Sequence, residues 1–362
     1  DIPDIDGLQS DVCNQAGARN VIRLNNITAT YTTVRGQVDA VDGVDLTIPA
    51  GKIVGIAGES GCGKSTLLKV IYGDLIYPLA LRQGNVEYEI EPSHGLIVEG
   101  KIRRNEGETK NGGQITTRNI KDYWFKHISY IPQASMSSLN PVIRIRKQIV
   151  DFLDADQRNA NVLEEIREYV KSLDLPPEAI DAYPHQLSGG MRQRIMVAMA
   201  TFFKPDIILA DEPTTALDVV VQKGILLLLM DIQAQMNNTI LIVSHDMGVH
   251  YQIAHKMLIM YAAKVVEFGD SKAVFEAPLH PYTKMLTESL PTIGDDKMRE
   301  GIAGRPPSLW EDLRGCRFAP RCPLATEMCR AQEPELIKHR LRHFAACHYA
   351  EDTPQIDEIT IQ

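Results

Sequence analysis

The sequence predicts an α/β fold in which a mostly parallel sheet carries a phosphate-binding loop, and three observations predict it. The stretch Gly58-Glu59-Ser60-Gly61-Cys62-Gly63-Lys64-Ser65-Thr66 fits the pattern G-x-x-x-x-G-K-[ST]. The apolar run Ile53-Val54-Gly55-Ile56-Ala57 precedes it as a buried strand, and Leu67 to Ile71 follows as a helix, the context that pattern needs. Two further apolar runs, Ile207 to Ala210 and Ile240 to Val243, also read as buried strands, and each ends in charge: Asp211-Glu212 and His245-Asp246. Ligands of open α/β sheets sit at the carboxyl ends of strands. Ahead of the loop, Val21–Tyr31 and Val38–Ile48 alternate apolar and polar residues, which predicts an antiparallel layer beside the parallel sheet.

Taken in order, residues 1–20 are polar and aperiodic and read as a disordered lead. Val21–Tyr31 is expected as an edge strand, followed by a turn at Arg35-Gly36, the second alternating strand, and a turn at Pro49-Ala50-Gly51. Residues 82–120 are the least regular part and read as a surface insertion, with strand-like pieces at 85–90 and 95–98 around the polar stretch 103–113. Ile128–Ile131 is a strand ending at Pro132-Gln133, and Val162–Leu173 has helical periodicity that Pro176-Pro177 breaks. Leu187-Ser188-Gly189-Gly190 opens another helix, with Ser188 as its cap. The expected organisation is a nucleotide-binding domain over 21–290, with a helical part at about 134–205, then an extension over 291–350 and a tail at 351–362.

With 362 residues, 44% hydrophobic and 23% charged, the chain has the composition of a globular protein. A net charge of -9 gives a nucleic-acid partner no electrostatic support, so none is expected. The longest strongly apolar run, Ile225–Met230, is far shorter than the about 18 residues a membrane helix needs.

Chemistry follows from residue type and spacing. Glycines at 58, 61 and 63 let successive backbone N–H groups face one anion, and the helix N-terminus adds partial positive charge. Lys64 is placed to reach the β- and γ-phosphates and Ser65 to bind Mg²⁺. Asp211, after four apolar residues, is placed to hold Mg²⁺ through water, and Glu212 to orient or deprotonate an attacking water. Ser188, Gly189 and Gly190 form a second anion-binding helix start. One chain with two phosphate devices and one Asp-Glu pair is most economically explained if the second device serves a neighbour's nucleotide.

Together the loop at 58–66, Gln133, Leu187-Ser188-Gly189-Gly190, Asp211-Glu212, Ala216-Leu217-Asp218 and His245 resemble the ATP-binding subunits of ABC transporters over about residues 21–270. The resemblance implies a P-loop NTPase (RecA-like) core with an antiparallel β subdomain and an α-helical signature subdomain. It implies ATP and Mg²⁺ as ligands, Gln133 contacting Mg²⁺ and the attacking water, His245 contacting the γ-phosphate, Asp218 at a dimer seam, and Tyr31 stacked on adenine. The implied partners are a second ATP-binding subunit, identical or similar, sandwiching ATP between Lys64 and the other chain's Ser188, and two membrane-spanning subunits docking near Gln133 and residues 134–185. An extracellular substrate-binding protein is an indirect partner, and the chain would lie peripherally on the cytoplasmic face of the membrane. A soluble ABC ATPase of DNA repair or translation is the distant alternative.

The segments Ser137-Ser138-Leu139-Asn140-Pro141 and His280-Pro281-Tyr282-Thr283 resemble the di-/oligopeptide importer branch, whose relatives also serve oligosaccharides and nickel. So does the tail, a small cysteine-rich extension with Cys316, Cys322, Cys329 and Cys347, where the branch implies a [4Fe–4S] cluster. By spacing alone, gaps of five, six and seventeen residues are wide for a zinc ribbon, and a cluster, zinc and a labile disulfide all stay open. Nucleotide binding is expected to be independent of this extension.

Overall fold

The computed structural model describes residues 20–89, 97–100, 114–115, 120–133, 138–153, 158, 161–289, 302–311 and 313–352. The lead over 1–19, the polar stretch 103–113 and the tail beyond 352 lie outside the described residues. Strands β1 (Asn20–Thr33) and β2 (Gly36–Pro49) pair antiparallel. Strand β3 (Ile53–Ala57) then opens a second sheet and runs through the glycine-rich loop into helix α1 (Lys64–Tyr72). The chain returns to the first sheet with β4 (Leu79–Glu89), β5 (Ile97–Gly100) and β6 (Gln114–Ile115), giving the order β2-β1-β4-β5-β6.

Here the structure corrects two expectations. Strand β1 is not an edge: Tyr31 faces Val38 on one side and Leu79 on the other. The partner strand lies in the segment that reads, from residue 82 on, as a surface insertion. Strand β4 pairs with β1 from Ile22–Tyr88 to Tyr31–Leu79 and buries Leu79, Val86 and Tyr88. Its central residues Arg82, Gln83, Gly84 and Asn85 interrupt the alternation where the register shifts, which hides the strand from a period-two search.

Beyond β6 come β7 (Ile128–Ile131), α2 (Ile145–Asp151), α3 (Val162–Ser172), α4 (Gly189–Thr201), β8 (Ile207–Asp211), α5 (Val219–Met236), β9 (Thr239–Val243), α6 (Met247–Ile253) and β10 (Lys256–Tyr261). After these follow β11 (Lys264–Asp270), α7 (Ser271–Glu276), α8 (Pro281–Glu288), α9 (Glu327–Ala331), β12 (Ile337–Arg340) and β13 (His343–Ala345). The second sheet has the order β12-β13-β11-β10-β3-β9-β8-β7, parallel from β10 to β7.

Every residue of β3, β8 and β9 is buried, as strands covered on both faces require. Their side chains alternate between two cores. Ile207, Leu209, Leu241 and Val243 join α1 and the antiparallel sheet, while Ile208, Ala210, Ile240 and Ile242 meet α2 to α5. Helix α5, 18 residues of mean hydropathy 1.3, is long and apolar enough by composition to cross a membrane. Here it buries Ile225, Leu226, Leu228, Leu229 and Ile232 in the second core.

Candidate functional site

The loop between β3 and α1 takes its path from two glycines. At Gly58 (φ +148°) a Cβ would lie 2.1 Å from the Met260 carbonyl oxygen, and at Gly63 (φ +109°) 2.1 Å from that of Ala40. Ser60 and Gly61 form the exposed crest. Lys64 is buried, and its ammonium donates to the carbonyls of Gly58 (2.7 Å) and Glu59 (3.0 Å), inside the curve where an anion's oxygens would compete for it. Cys62 is buried beneath the loop, its sulfur 3.8 Å from the Lys64 ammonium; burial pushes its thiol up from the ordinary range, so it stays protonated. Thr66 Oγ1 lies 3.5 Å from the Tyr31 hydroxyl, which sets that ring beside the loop's exit.

The ends of β7, β8 and β9 converge on this loop. Ser65 donates to Asp211 Oδ1 (2.9 Å), and the Tyr130 hydroxyl donates to Asp211 Oδ2 (2.9 Å). Burial pushes the Asp211 carboxyl up, the bonds from Ser65 and Tyr130 oppose that, and the neighbouring Glu212 adds to it. A divalent cation would relieve both effects. Glu212 is buried at φ +49°, a conformation that costs a non-glycine residue energy and clusters at functional sites. Gln133 Nε2 donates to its Oε2 at 2.8 Å, Thr215 donates to the same oxygen at 3.0 Å, and His245 Nε2 pairs with its Oε1. His245 itself is 53% exposed, and Gln133 is also exposed.

Sequence reasoning gave no role at the site to Tyr130, Thr215 or Tyr282. Tyr130 reads only as a member of the strand that ends at Pro132-Gln133, and its place just before that turn is the one signal that could have found it. Tyr282, 223 residues from the loop, accepts a hydrogen bond from the Glu59 N–H (2.9 Å).

Residues 41–215 match the family model described as ABC transporter, and residues 266–329 match the model described as oligopeptide/dipeptide transporter, C-terminal region. The dipeptide transport ATP-binding protein DppD of Escherichia coli is 36% identical over 318 residues, 86% of this chain and 91% of that protein. This chain belongs to the ATP-binding subunits of ABC transporters. The oligopeptide transport ATP-binding protein OppD of Salmonella typhimurium is likewise 36% identical, over 88% of this chain and 90% of that protein. In fold, the chain resembles a dimeric bacterial ABC transporter cassette with a TM-score of 0.56 at 24% identity, over 69% of this chain and 98% of that one.

Other residues of the ABC ATPase lie apart from the loop. Ser188 caps α4 by accepting from Met191 N–H (3.2 Å), and Asp218 caps α5 by accepting from Val221 N–H (2.9 Å). The two helix starts touch: a Cβ on Gly190 would lie 2.9 Å from a methyl of Val221. Ser188 and Asp218 are exposed, and Val219 and Val220 beside them are 79% and 81% exposed. Gly189 follows Ser188 in the first turn of α4.

The extension packs directly against the nucleotide loop and its neighbours. Phe318, fully buried, packs on Tyr261 and Tyr282 with ring centroids 5.2 and 5.4 Å apart, and Arg321 bonds the loop directly. Cys316, Cys322, Cys329 and Cys347 line one small, almost wholly apolar cavity together with His280 and Phe318. These cysteines are free, so no disulfide joins them, while Cys13 lies outside the described residues. Burial pushes the thiols of Cys316 and Cys322 up and that of Cys347 to about 12. The expected metal centre does not appear as a formed ligand set. Among the described residues, no three His, Cys, Asp or Glu side chains are close enough to share one metal ion.

Proposed function

We propose that this chain, an ABC ATPase, hydrolyses ATP to drive uptake of dipeptides or oligopeptides as the peripheral, cytoplasmic-face subunit of a membrane importer. The observation that carries it is the convergence of Lys64, Ser65, Asp211, Glu212, Gln133 and His245 at the carboxyl ends of adjacent strands. Lys64, released from its two carbonyls, takes the β- and γ-phosphates. Ser65, Asp211 and Gln133 would hold Mg²⁺, which supplies charge neutralisation at the phosphates. Glu212 accepts the proton of the attacking water, and His245, already beside that carboxylate, senses the γ-phosphate. Tyr31 offers its ring face to adenine.

The exposed Ser188, Asp218, Val219 and Val220, with the half-buried Gly189 and Gly190 between them, support a second copy, or a similar subunit, closing over the nucleotide. Their apolar and anion-binding groups face outward together. Peptide cargo is supported by the relatives' names, with oligosaccharide or nickel as the competing cargo. The assembled importer, reconstituted with its membrane-spanning subunits and binding protein, should hydrolyse ATP faster when peptide is added. Stimulation by an oligosaccharide or nickel instead, with none by peptide, would overturn the cargo.

For the extension we infer a [4Fe–4S] cluster held by Cys316, Cys322, Cys329 and Cys347. Support comes from four soft donors lining one small apolar hollow, with no carboxylate in the lining. Such a cluster would cross-link a segment with little core of its own. Anaerobically purified protein should carry about four iron and four acid-labile sulfide per chain. One zinc without sulfide, or no metal at all, would remove the cluster.

A further inference from the structure

Arg321 lies on the short turn Ala319–Arg321, between two of the cavity's cysteines, yet its side chain points away from them and is only 5% exposed. The guanidinium makes a fork on Glu59, with Nη1 to Oε2 at 2.8 Å and Nη2 to Oε1 at 2.9 Å. Its other N–H groups donate to the Tyr261 hydroxyl (3.1 Å) and to the carbonyls of Ile302 (3.0 Å) and Ala303 (2.9 Å). Five N–H groups thus have five acceptors, and the plane lies near the rings of Tyr261 and Phe318. This arrangement is more than a surface tether. Glu59 is the second residue of the phosphate loop, its N–H fixed by Tyr282 and its carbonyl accepting from Lys64.

A carboxylate in that loop would repel the phosphates at short range, where little water screens it. We propose that Arg321 is a positioning residue for nucleotide binding: by holding both oxygens of Glu59 it neutralises that charge and turns it away from the anion site. The bidentate geometry matters as well as the charge, because a fork fixes direction and an ammonium does not. The C-terminal extension is therefore part of the nucleotide site at one remove.

The test uses the full chain and titration with a fluorescent Mg·ATP analogue. Arg321→Ala leaves Glu59 charged and unpaired, and affinity should fall at least about tenfold. Adding Glu59→Gln to that variant removes the repelling charge and should restore affinity to within about threefold of wild type. Arg321→Lys keeps the charge but loses the fork, with an intermediate loss that stays informative should Arg321→Ala fold poorly. Wild-type affinity in both Arg321→Ala and Arg321→Lys would overturn the proposal. So would a double variant as weak as Arg321→Ala, because an arginine that only anchors the extension is not rescued by neutralising its partner. The inference rests on the nucleotide-binding reading above, and the two fail differently. Wild-type protein that does not bind ATP refutes that reading, whereas unchanged binding in the variants refutes only the role of Arg321.

Discussion

The phosphate loop and the exposed helix starts at Ser188 and Asp218 carry the same kind of chemistry in opposite settings. Around the loop, Lys64, Asp211 and Glu212 are buried, and each is bonded to groups of its own chain. At the helix starts, Ser188 and Asp218 cap their own helices, and the surface around them faces outward. On the two-chain site proposed above, the difference teaches which half one chain finishes by itself. Buried charges need partners at once, or their desolvation costs several kcal/mol. Exposed caps can wait in water for a second molecule at little cost.

The comparison breaks most visibly at Glu212. Glu212→Gln should keep Mg·ATP affinity while turnover falls by on the order of 10²–10⁴-fold, as loss of a general base does. A near-wild-type rate in a steady-state phosphate-release assay would remove Glu212 from the chemistry. Ser188→Arg addresses the other region. Its ATP affinity as an isolated chain should equal wild type, with turnover reduced by about 10²-fold through the partner's site. Lost binding in the isolated variant would show that Ser188 acts in its own chain.

Acid should distinguish the buried region from the rim. His250 is fully buried behind the loop strand, where a Cβ on Gly55 would come within 2.5 Å of its ring, and burial lowers it from 6.5 to about 4. The unfolded chain then binds a proton below pH 6.5 that the folded chain refuses. This contribution is complete above that pH and is lost as pH falls to about 4. Thermal unfolding should show stability dropping by on the order of 1–3 kcal/mol over that window, and His250→Gln should flatten the drop. An identical acid profile in the variant would exclude His250 as its source. The smallest effect is expected at Tyr130. Tyr130→Phe removes one hydrogen bond to Asp211, and Mg²⁺ dependence of ATP binding should shift by about fivefold, close to 1 kcal/mol. An unshifted Mg²⁺ titration would leave Tyr130 with packing alone.

What was legible in the sequence follows the same division. The residues at 58–66, Asp211-Glu212 and Leu187-Ser188-Gly189-Gly190 announce themselves because glycine freedom, capping and apolar strands are local properties. The central place of β1 was not legible, because its partner β4 has a polar middle and a shifted register. The roles of Arg321 and Tyr282 at the loop were invisible for another reason. These side chains meet Glu59 across 262 and 223 residues, and no spacing rule reaches that far. The cysteines were legible as a group, but their cavity's dependence on Phe318 and His280 needed the fold.

The hairpin of β12 and β13 has one more effect. Strand β13 pairs with β11 over Glu267–Gly269, so the large sheet does not stop at β11. Without that cover, Val265, Val266 and Phe268 would border an open row of backbone donors and acceptors, a template onto which another chain could add a strand. The new boundary is β12, four residues long and carrying Lys338 and Arg340, too short and too charged to recruit a neighbour readily. The cysteine-bearing segment thus also ends the sheet, and chains cut before it should be prone to stacking edge to edge.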